Sequence, residues 1–358
     1  MKVLFLVPYP SEGASNRIRV EQFIPYLRSQ GVRARVRPFM NRPFFRILYL
    51  PGRHLAKAFW FLVCTVNRLC DIVRAVRYDI VFIHREAYPF GGPFIESLLD
   101  RLGKPIVFDF DDAIYLPNTS RQNAHIDRFK DPGKVAKIIR MSRYVIVGNE
   151  YLKAFALQYN ANVVEIPSCV DTEKYRPAAP AKEAREKVVI GWMGSFTTKD
   201  YLPALNSIIL TLSKRYRHVV FRVVGADVGG ACPGAVACKK WALDEEAADL
   251  HDFDIGIMPV ADNAWAKGKC GFKAILYMAC GLPVVASAVG VNARIIDDGV
   301  SGFLAATDAD WVEKLSILID DAKLRKAMGA KGRQTVVGRY SIDYAAPLLH
   351  QTLKKAAG

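Results

Sequence analysis

The sequence contains no apolar run long enough to cross a bilayer. About 20 consecutive apolar residues are needed for a membrane-spanning helix, and the longest candidate, Ala58–Val66, is about half that length. The first ten residues, MKVLFLVPYP, carry one lysine and an apolar run too short for a signal peptide. We interpret them as a first buried β-strand and expect no membrane-spanning helix.

The cysteines of the sequence lack the spacing that disulfide frameworks and zinc sites require. The seven cysteines are odd in number and irregularly spaced, which favours reduced thiols over disulfides. Cys232 and Cys238 lack a zinc-site spacing and a following His/Cys pair. We therefore predict no metal site. Nucleic-acid-binding motifs are also lacking, so we expect no nucleic-acid partner.

Positive charge is concentrated in one part of the chain. The formal net charge is +15, and residues 17–77 hold thirteen Arg and Lys but only two acidic residues. In 37–77 the cations alternate with aromatic and aliphatic residues, a composition typical of interfacial membrane helices. An amphipathic helix packed on the core, with a solvated basic face, is the alternative. For membrane contact we expect four cations to face anionic lipid and four apolar side chains to insert: Arg42, Arg46, Arg53 and Lys57, and Phe44, Phe45, Leu48 and Trp60.

Two α/β domains are predicted from the order of segments. Short apolar runs typical of strands alternate with segments of helical period, which indicates parallel sheets covered by helices on both faces. A Pro/Ala/charge-rich stretch, RPAAPAKEAREK at 176–187, interrupts this alternation. The 358 residues also exceed one ordinary core. We predict two doubly wound domains, 1–178 and 187–340, followed by a helix at 341–358.

In doubly wound domains, ligands bind beyond the carboxyl ends of the strands. With two domains, we expect the site in the cleft between them. The candidate positions in the first domain are the loop 8–19, His84, Arg85, Glu86, Asp109, Asp111 and Asp112. In the second domain they are 194–199, 225–230 and the lysine loop, KGKCGFK at 267–273.

The lysine loop is predicted to bind phosphate. The apolar residues after Gly271 recur with the period of one helix face, so Lys267, Lys269 and Lys273 lie at a helix N-terminus. Free N–H groups and the helix dipole favour an anion there. Gly268 and Gly271 allow close approach of the backbone, which favours the diphosphate of a nucleotide. A solvated basic loop with glycines for a turn is the alternative.

The segment DIGIMPV…W.KGKCGFKAILYMACGLPVVASAVGVN…DDGVSGFL resembles the nucleotide-sugar-binding half of glycosyltransferase family 4. The resemblance continues in GWMGSFTTKDYL, IPSCVDTEKYRP, FDFDDAIY and GASNRIRVEQFIPYL. It implies the GT-B fold, with two Rossmann-like domains facing each other across a cleft and a last helix crossing back to the first domain. It also implies a retaining hexosyltransferase that uses a nucleoside diphosphate sugar as donor substrate, with no metal and no other cofactor.

Two departures from the family pattern affect the donor site. Family members commonly have two glutamates eight residues apart, contacting the transferred sugar and the ribose, where this chain has Gly268 and Leu276. Many also have an arginine where Ser195 stands and a lysine that Lys199 matches only approximately. Either diphosphate binding relies more on Lys269, Lys273 and the hydroxyls of FTTK, or the transferase is inactive.

The resemblance and the strand-end positions together define the candidate site residues. The donor-binding candidates are Gly13, Ala14, Gly194, Ser195, Thr197, Lys199, Lys269, Gly271, Phe272 and Lys273. The acceptor-side candidates are Asn16, Arg17, Arg85 and Glu86. Family members often place a histidine or an acid near the reacting sugar, and the catalytic candidates are Asp111, Asp112 and His84. Alternatively, the two aspartates cap a helix and His84 is a satisfied residue of the cleft wall.

The expected function is transfer of a sugar to a glycan or a lipid-linked acceptor in cell-envelope or exopolysaccharide biosynthesis. The expected location is the cytoplasm, in peripheral contact with the anionic inner face of the cell membrane. A sugar-nucleotide epimerase of similar shape is one alternative. A non-catalytic nucleotide-sugar-binding partner of another transferase is a second alternative.

Overall fold

A computed structural model describes most of the chain, in two compact units. The described residues are 1–48, 50–116, 131–178, 186–194, 198–227 and 236–358. Unit 1 consists of Met1–Ser168 with Ala345–Gly358, and unit 2 consists of Cys169–Tyr344. Residues 179–185 of the stretch interpreted as a linker lie outside the described residues.

Unit 1 is built on a six-stranded parallel sheet. The strands are β1 Lys2–Val7, β2 Arg33–Pro38, β3 Ile80–His84, β4 Ile106–Phe110, β5 Tyr144–Val147 and β6 Val163–Glu165. The helices are α1 Ala14–Arg19, α2 Ile24–Ser29, α3 Arg42–Leu48, α4 His54–Ala75, α5 Phe94–Arg101, α6 Lys134–Met141 and α7 Glu150–Ala156, with a 3-10 turn at Glu21–Phe23. The strand order is β2-β1-β3-β4-β5-β6.

Unit 2 has a second six-stranded parallel sheet. Its strands are β7 Val188–Met193, β8 Val219–Val224, β9 Val236–Lys239, β10 Ile255–Met258, β11 Val284–Ser287 and β12 Phe303–Ala305. Its helices are α8 Asn206–Arg215, α9 Glu246–His251, α10 Ala264–Lys267, α11 Phe272–Ala279, α12 Asn292–Ile295, α13 Asp308–Asp320 and α14 Ala322–Arg339, with a 3-10 helix at Lys199–Leu205. The last helix, α15, is Ile342–Ala357, and its residues from Ala345 onward belong to unit 1.

Alternate residues of β7 show that both faces of the second sheet are covered. Ile190 and Trp192 belong to one buried cluster, whereas Val189 and Met193 belong to the other. Strands buried on both faces have continuous apolar sequences, as VVIGWM does. The predicted α/β architecture, with parallel sheets between layers of helices, is confirmed.

The strand orders locate the expected ligand positions within each unit. In unit 1 the chain passes from β1 to β2 on one side and continues with β3 on the other, so the order reverses between β1 and β3. In unit 2 the order β12-β11-β10-β7-β8-β9 reverses between β7 and β10. Ligands of open α/β sheets bind at such reversal points, beyond the carboxyl ends of the strands.

The basic, aromatic stretch forms two helices instead of one membrane-inserting segment. Gly52 and Arg53 adopt positive φ angles of 68° and 55° between α3 and α4, which separates the two helices. Phe44 is buried in a cluster that Leu48 and Trp60 pack against. The prediction that Phe44 inserts into lipid is therefore wrong, because this side chain is buried in the protein. Insertion of Phe45 and of the partly buried Leu48 and Trp60 stays a prediction. Within the described part of the chain, no helix combines the length and apolarity needed to cross a membrane.

Candidate functional site

The lysine loop of unit 2 has the geometry of a helix N-terminus. The helix α11 begins at Phe272, as the periodicity predicts. Gly271, the residue that precedes it, has a φ of 65°, and a Cβ there would lie 2.2 Å from Cδ1 of the buried Ile295. Both facts require glycine. Since the first N–H groups of a helix have no intrahelical acceptor, this end of α11 can bind an anion.

Two lysines of this loop lie against aromatic rings. Lys269 Nζ is 5.9 Å from the ring centroids of Tyr201 and of Trp265. Lys273 Nζ is 5.5 Å from the ring centroid of the buried Trp192. Cations within about 6 Å of a ring face are attracted by its quadrupole. The ring of Trp192 therefore holds the ammonium of Lys273 near the carboxyl end of β7, and Tyr201 and Trp265 hold that of Lys269.

The loops after β7 and β8 approach the same place. The N–H of Gly194, which follows β7, donates to Val224 O at 3.0 Å. A Cβ on Gly194 would lie 2.7 Å from Lys273 Cε, and a Cβ on Gly225 would lie 2.2 Å from Gly194 O. Lys199 Nζ is 3.4 Å from Asp227 O. The structure thus brings Gly194, Lys199 and Lys273 of the predicted donor site to one edge of the sheet.

Some predicted donor residues have a different place or are not described. Ser195 and Thr197 lie outside the described residues. Gly13 and Ala14 belong to unit 1, where Gly13 precedes α1 and Ala14 is its first, exposed residue. Phe272 is half-buried and packs against one of the core clusters of unit 2. The donor roles of these residues stay predictions.

The two positions where the family commonly carries glutamates are both buried in this chain. Gly268 follows α10 and is buried, and Leu276 is 4% exposed within the core beside α11. A leucine inside the core cannot hydrogen-bond a ribose. Any ribose contact has to come from another residue.

Gly271→Ala should destabilise the protein. A left-handed backbone conformation costs a residue with a Cβ about 1–2 kcal/mol, and Ile295 must also move. Thermal unfolding measures the effect, and a decrease of roughly 2–4 °C per kcal/mol is expected for a domain of this size. Gly338→Ala is the matched control, because a Cβ at this site in α14 meets nothing within 4 Å. Equal melting temperatures for the two variants would contradict the assignment.

In unit 1, a buried ionic cluster lies at the carboxyl ends of β3 and β4. His84 and Asp109 are register partners on the two strands, and His84 Nδ1 is 2.7 Å from Asp109 Oδ2. Arg19 donates from Nε and Nη2 to the same carboxylate and from Nη1 to Ile166 O. Burial alone would raise the pKa of Asp109, but the charge of Arg19 and the hydrogen bond with His84 lower it below the ordinary value.

A second cluster involves the two aspartates predicted to be catalytic. Arg85 Nε donates to Asp111 Oδ1 at 2.8 Å, and its Nη2 donates to Asp112 Oδ2 at 2.5 Å. Burial opposes ionisation of Asp111, yet the charge of Arg85 lowers its pKa to about 2. Asp111 is therefore ionised at neutral pH and cannot act as a general acid there. Arg85 also has a φ of 62°, a conformation uncommon for a residue with a side chain.

The acceptor-side candidates make contacts within unit 1. Glu86 pairs with Lys134 at 2.9 Å. Asn16 is buried and donates to Tyr9 O and to Glu21, and Arg17 donates to Ser11 O at 2.9 Å. Asn16 and Arg17 thus hold the loop that follows β1. Their predicted contact with an acceptor stays a prediction.

Sequence reasoning missed three residues of these sites. Arg19 was not singled out, although it is the charge that keeps Asp109 ionised. Tyr201 and Trp265, which flank Lys269, were also missed. The sequence does place both aromatic residues close to a lysine near the end of a strand, and this pattern could have identified them. Among the described residues, no group of three or more His, Cys, Asp or Glu side chains could hold a metal ion.

Comparisons with known proteins agree on one class. Residues 187–321 match the family described as Glycosyl transferases group 1. A D-inositol 3-phosphate glycosyltransferase of Paenarthrobacter aurescens is 36% identical over 87 residues, which are 24% of this chain and 20% of that protein. The corresponding enzyme of Frankia alni is 24% identical over 297 residues, which are 73% of this chain and 71% of that protein.

The fold is similar to that of a solved structure over nearly the whole length of the chain. Anabaena HepE in complex with UDP and glucose has a TM-score of 0.71 and 17% identity, with 99% of each chain covered. The predicted GT-B fold is confirmed. The chain thus has the GT-B fold, and its residues 187–321 are similar to the family described as Glycosyl transferases group 1.

Proposed function

We propose that the protein transfers a sugar from a nucleoside diphosphate sugar to an acceptor, with retention of configuration at the anomeric carbon. The observation that carries this proposal is the N-terminus of α11, where Lys273 lies beside the carboxyl end of β7 and Lys269 lies against Tyr201 and Trp265. In sugar transfer, negative charge develops on the leaving diphosphate. Fixed cations and free helix N–H groups aimed at that charge lower the barrier.

The first unit supplies charge and order on the acceptor side. Asp111 and Asp112 are carboxylates held by Arg85, so they can stabilise the positive charge that develops on a sugar ring as its bond to phosphate breaks. His84 is held by Asp109 and has no hydrogen-bond partner at Nε2 among the described residues. We propose that Nε2 contacts a hydroxyl group of the substrate. Because His84 is buried, this contact requires the neighbouring loops to move.

The base of the donor is tested by a binding screen. The HepE structure contains UDP and glucose, which supports a uridine nucleotide as the donor for this chain. Purified protein should be screened for thermal stabilisation by UDP-, GDP-, ADP- and dTDP-sugars, since a ligand of the native state raises apparent stability. At a concentration of about 100 times its Kd, a true donor raises the free energy of unfolding by about 2.7 kcal/mol. No stabilisation by any nucleotide sugar would contradict the proposal.

Catalysis should not depend on a metal ion. The lysines and helix N–H groups would do what a divalent cation does in other transferases, which is to stabilise the leaving diphosphate. Activity with and without excess chelator is expected to agree within error. Complete loss of activity that magnesium or manganese restores would overturn this part of the proposal.

For the acceptor we propose a glycan or a lipid-linked sugar of cell-envelope or exopolysaccharide biosynthesis. The cation-rich first unit supports this choice, because lipid-linked acceptors are held at an anionic membrane surface. We accordingly propose that the enzyme works in the cytoplasm as a peripheral protein of the inner membrane face.

A non-catalytic nucleotide-sugar-binding protein is the second candidate. It is favoured by Leu276, which lies in the core where the family carries a ribose-binding glutamate. The two candidates differ in turnover. A protein that binds a nucleotide sugar but releases no nucleoside diphosphate, with a membrane extract as acceptor, would favour the second candidate.

A further inference from the structure

The outer face of α4 carries a row of exposed apolar side chains, which is unusual for a surface helix. The inner face buries Arg68 and Asp71. Arg68 donates to Val7 O at 3.1 Å, and Asp71 accepts from Arg37 at 2.8 Å. The helix is thus held to unit 1 by a buried charged pair together with apolar residues such as Cys64 and Ile72, while further apolar side chains are left on the surface.

The exposed apolar residues form one continuous stripe. They recur every three or four residues along the helix and just past its end, with exposed fractions from 42% to 88%: Leu55, Phe59, Leu62, Val66, Leu69, Val73 and Val76. No exposed residue of α4 between Lys57 and Arg74 is charged. At 1.5 Å per residue, the 22 residues of α4 extend about 33 Å. A contiguous apolar surface of this size marks an interaction site.

A cation-lined cavity lies at the far end of the same helix. Its volume is about 550 Å³, and it is formed by residues along β2, the first half of β1 and the end of α4 with the residues that follow it. Six of the nine lining residues are cations: Lys2, Arg33, Arg35, Arg37, Arg74 and Arg77. None of the lining residues, all of them described, is acidic. The cavity lies along the edge strand β2, and its lining contains none of His84, Asp109, Asp111 and Asp112, so it is separate from the proposed catalytic site.

We propose that the stripe of α4 and the cation-lined cavity together bind the surface of an anionic phospholipid membrane, with the apolar side chains among the acyl chains and lipid phosphates in the cavity. This deepens the membrane attachment proposed above and does not depend on the transferase activity. It assigns the contact to residues other than those that sequence analysis selected.

The cations at the two ends of the stripe favour an anionic membrane, and not a second copy of the chain, as its partner. The spacing of the stripe also fits a helix pair, in which residues repeat alternately at three and four positions. However, Arg53 and Lys57 lie at one end of the stripe, and Arg74 and Arg77 lie at the other. In a parallel or an antiparallel pair these cations would face cations of the partner, which is unfavourable. An anionic lipid surface instead complements both ends.

The direction of α4 links this surface to the site. As the connection from β2 to β3, α4 begins near the carboxyl ends of the strands and ends near their amino ends. With the stripe on a membrane, the carboxyl edge of unit 1 lies at the rim of the contact. An acceptor that is anchored in the same membrane then reaches this edge without leaving the bilayer.

The test is sedimentation of the full chain with vesicles, without donor. Wild type should bind vesicles that contain phosphatidylglycerol much more tightly than vesicles of phosphatidylcholine alone. High salt should release it, because the Debye length falls to about 3 Å at 1 M. The double variant Phe59→Ser/Leu62→Ser should bind at least about tenfold more weakly, since each side chain removed from water contributes about that factor. Leu210→Ser, at an exposed leucine of α8, is the control and should bind like wild type.

The cavity is tested by Arg33→Gln/Arg35→Gln, with Lys323→Gln/Lys326→Gln as the control. Each lost cation should weaken vesicle binding about fivefold, and the control should bind like wild type. Binding of inorganic pyrophosphate distinguishes a site for free phosphate from a site for lipid, and it is measured with Lys273→Ala added to each protein so that the proposed donor site contributes less. If the arginine variant lost pyrophosphate binding but kept vesicle binding, the lipid proposal would be wrong.

Two further outcomes would overturn the proposal. One is equal binding to neutral and anionic vesicles. The other is a concentration-dependent dimer in sedimentation velocity that Phe59→Ser/Leu62→Ser abolishes, which would assign the stripe to a second copy. Thermal stabilisation by the nucleotide sugar is measured on every variant. It reports on unit 2, so failure of the membrane proposal and failure of the proposed transferase function are distinguishable.

Discussion

Replacing Lys273 by alanine should weaken the binding of a nucleoside diphosphate by roughly tenfold to more than a hundredfold. A hydrogen bond between charged groups contributes about 1.5–3 kcal/mol, which corresponds to this range of affinities. The ammonium lies over Trp192 and beside Gly194, at the first turn of α11, where the helix dipole adds to its effect. Isothermal titration calorimetry with the donor's diphosphate measures the change.

The neighbouring lysines make this prediction specific. Lys269→Ala should weaken binding by a similar factor, because its Nζ lies between the rings of Tyr201 and Trp265 on the same loop. Lys323→Ala, on α14, is the control for loss of one positive charge and should bind like wild type. If both loop variants kept the wild-type affinity, the lysine loop would not be a phosphate site.

Asp109→Ala should destabilise the protein more than any other single change considered above. Removing one partner of a buried ion pair lowers the free energy of unfolding by about 3–5 kcal/mol, because the other charge stays buried without compensation. Here Arg19 is 3% exposed, and His84 would lose its partner as well. Urea unfolding measures the loss. Asp79→Ala is the control, since the exposed Asp79 accepts a hydrogen bond from Lys2 N and should contribute little.

The carboxylate of Asp109 should also make the stability of the protein depend on pH. The pKa of Asp109 is lower in the folded state than in the unfolded state, so its contribution is present above the unfolded value of about 3.9 and is lost as the pH falls through the folded value. Wild type should therefore lose more stability than Asp109→Asn between neutral pH and strongly acidic pH. Parallel pH profiles for the two proteins would contradict the assignment of Asp109 as an ionised group.

The local sequence was enough to predict the lysine loop and the alternation of strands and helices. Gly271 and the apolar period after it define where α11 begins, and both are local features. The pairing of His84 with Asp109 could not be predicted in this way. It depends on the register between β3 and β4, which is set by the whole sheet. Both residues were expected at strand ends, but the sequence does not show that Arg19 donates to the carboxylate of Asp109.

The orientation of α4 was also beyond local reasoning. Periodicity shows that a helix has an apolar face but does not show which face is buried. Phe44 and Trp60 were expected to reach lipid, yet Phe44 is buried in a cluster against which Trp60 of α4 packs, partly buried. The side chains that are in fact exposed, such as Phe59 and Leu62, could be identified only when the buried partners of Arg68 and Asp71 were known.

A crystal structure with the nucleoside diphosphate selected by the binding screen tests the proposed donor site most directly. We expect the two phosphates at the N-terminus of α11, with an oxygen within about 3 Å of Lys273 Nζ, and the nucleoside beyond the carboxyl ends of β7 and β10. Density for the nucleotide at another place, or its absence at saturating ligand, would contradict the assignment of unit 2 as the donor-binding unit of a glycosyltransferase.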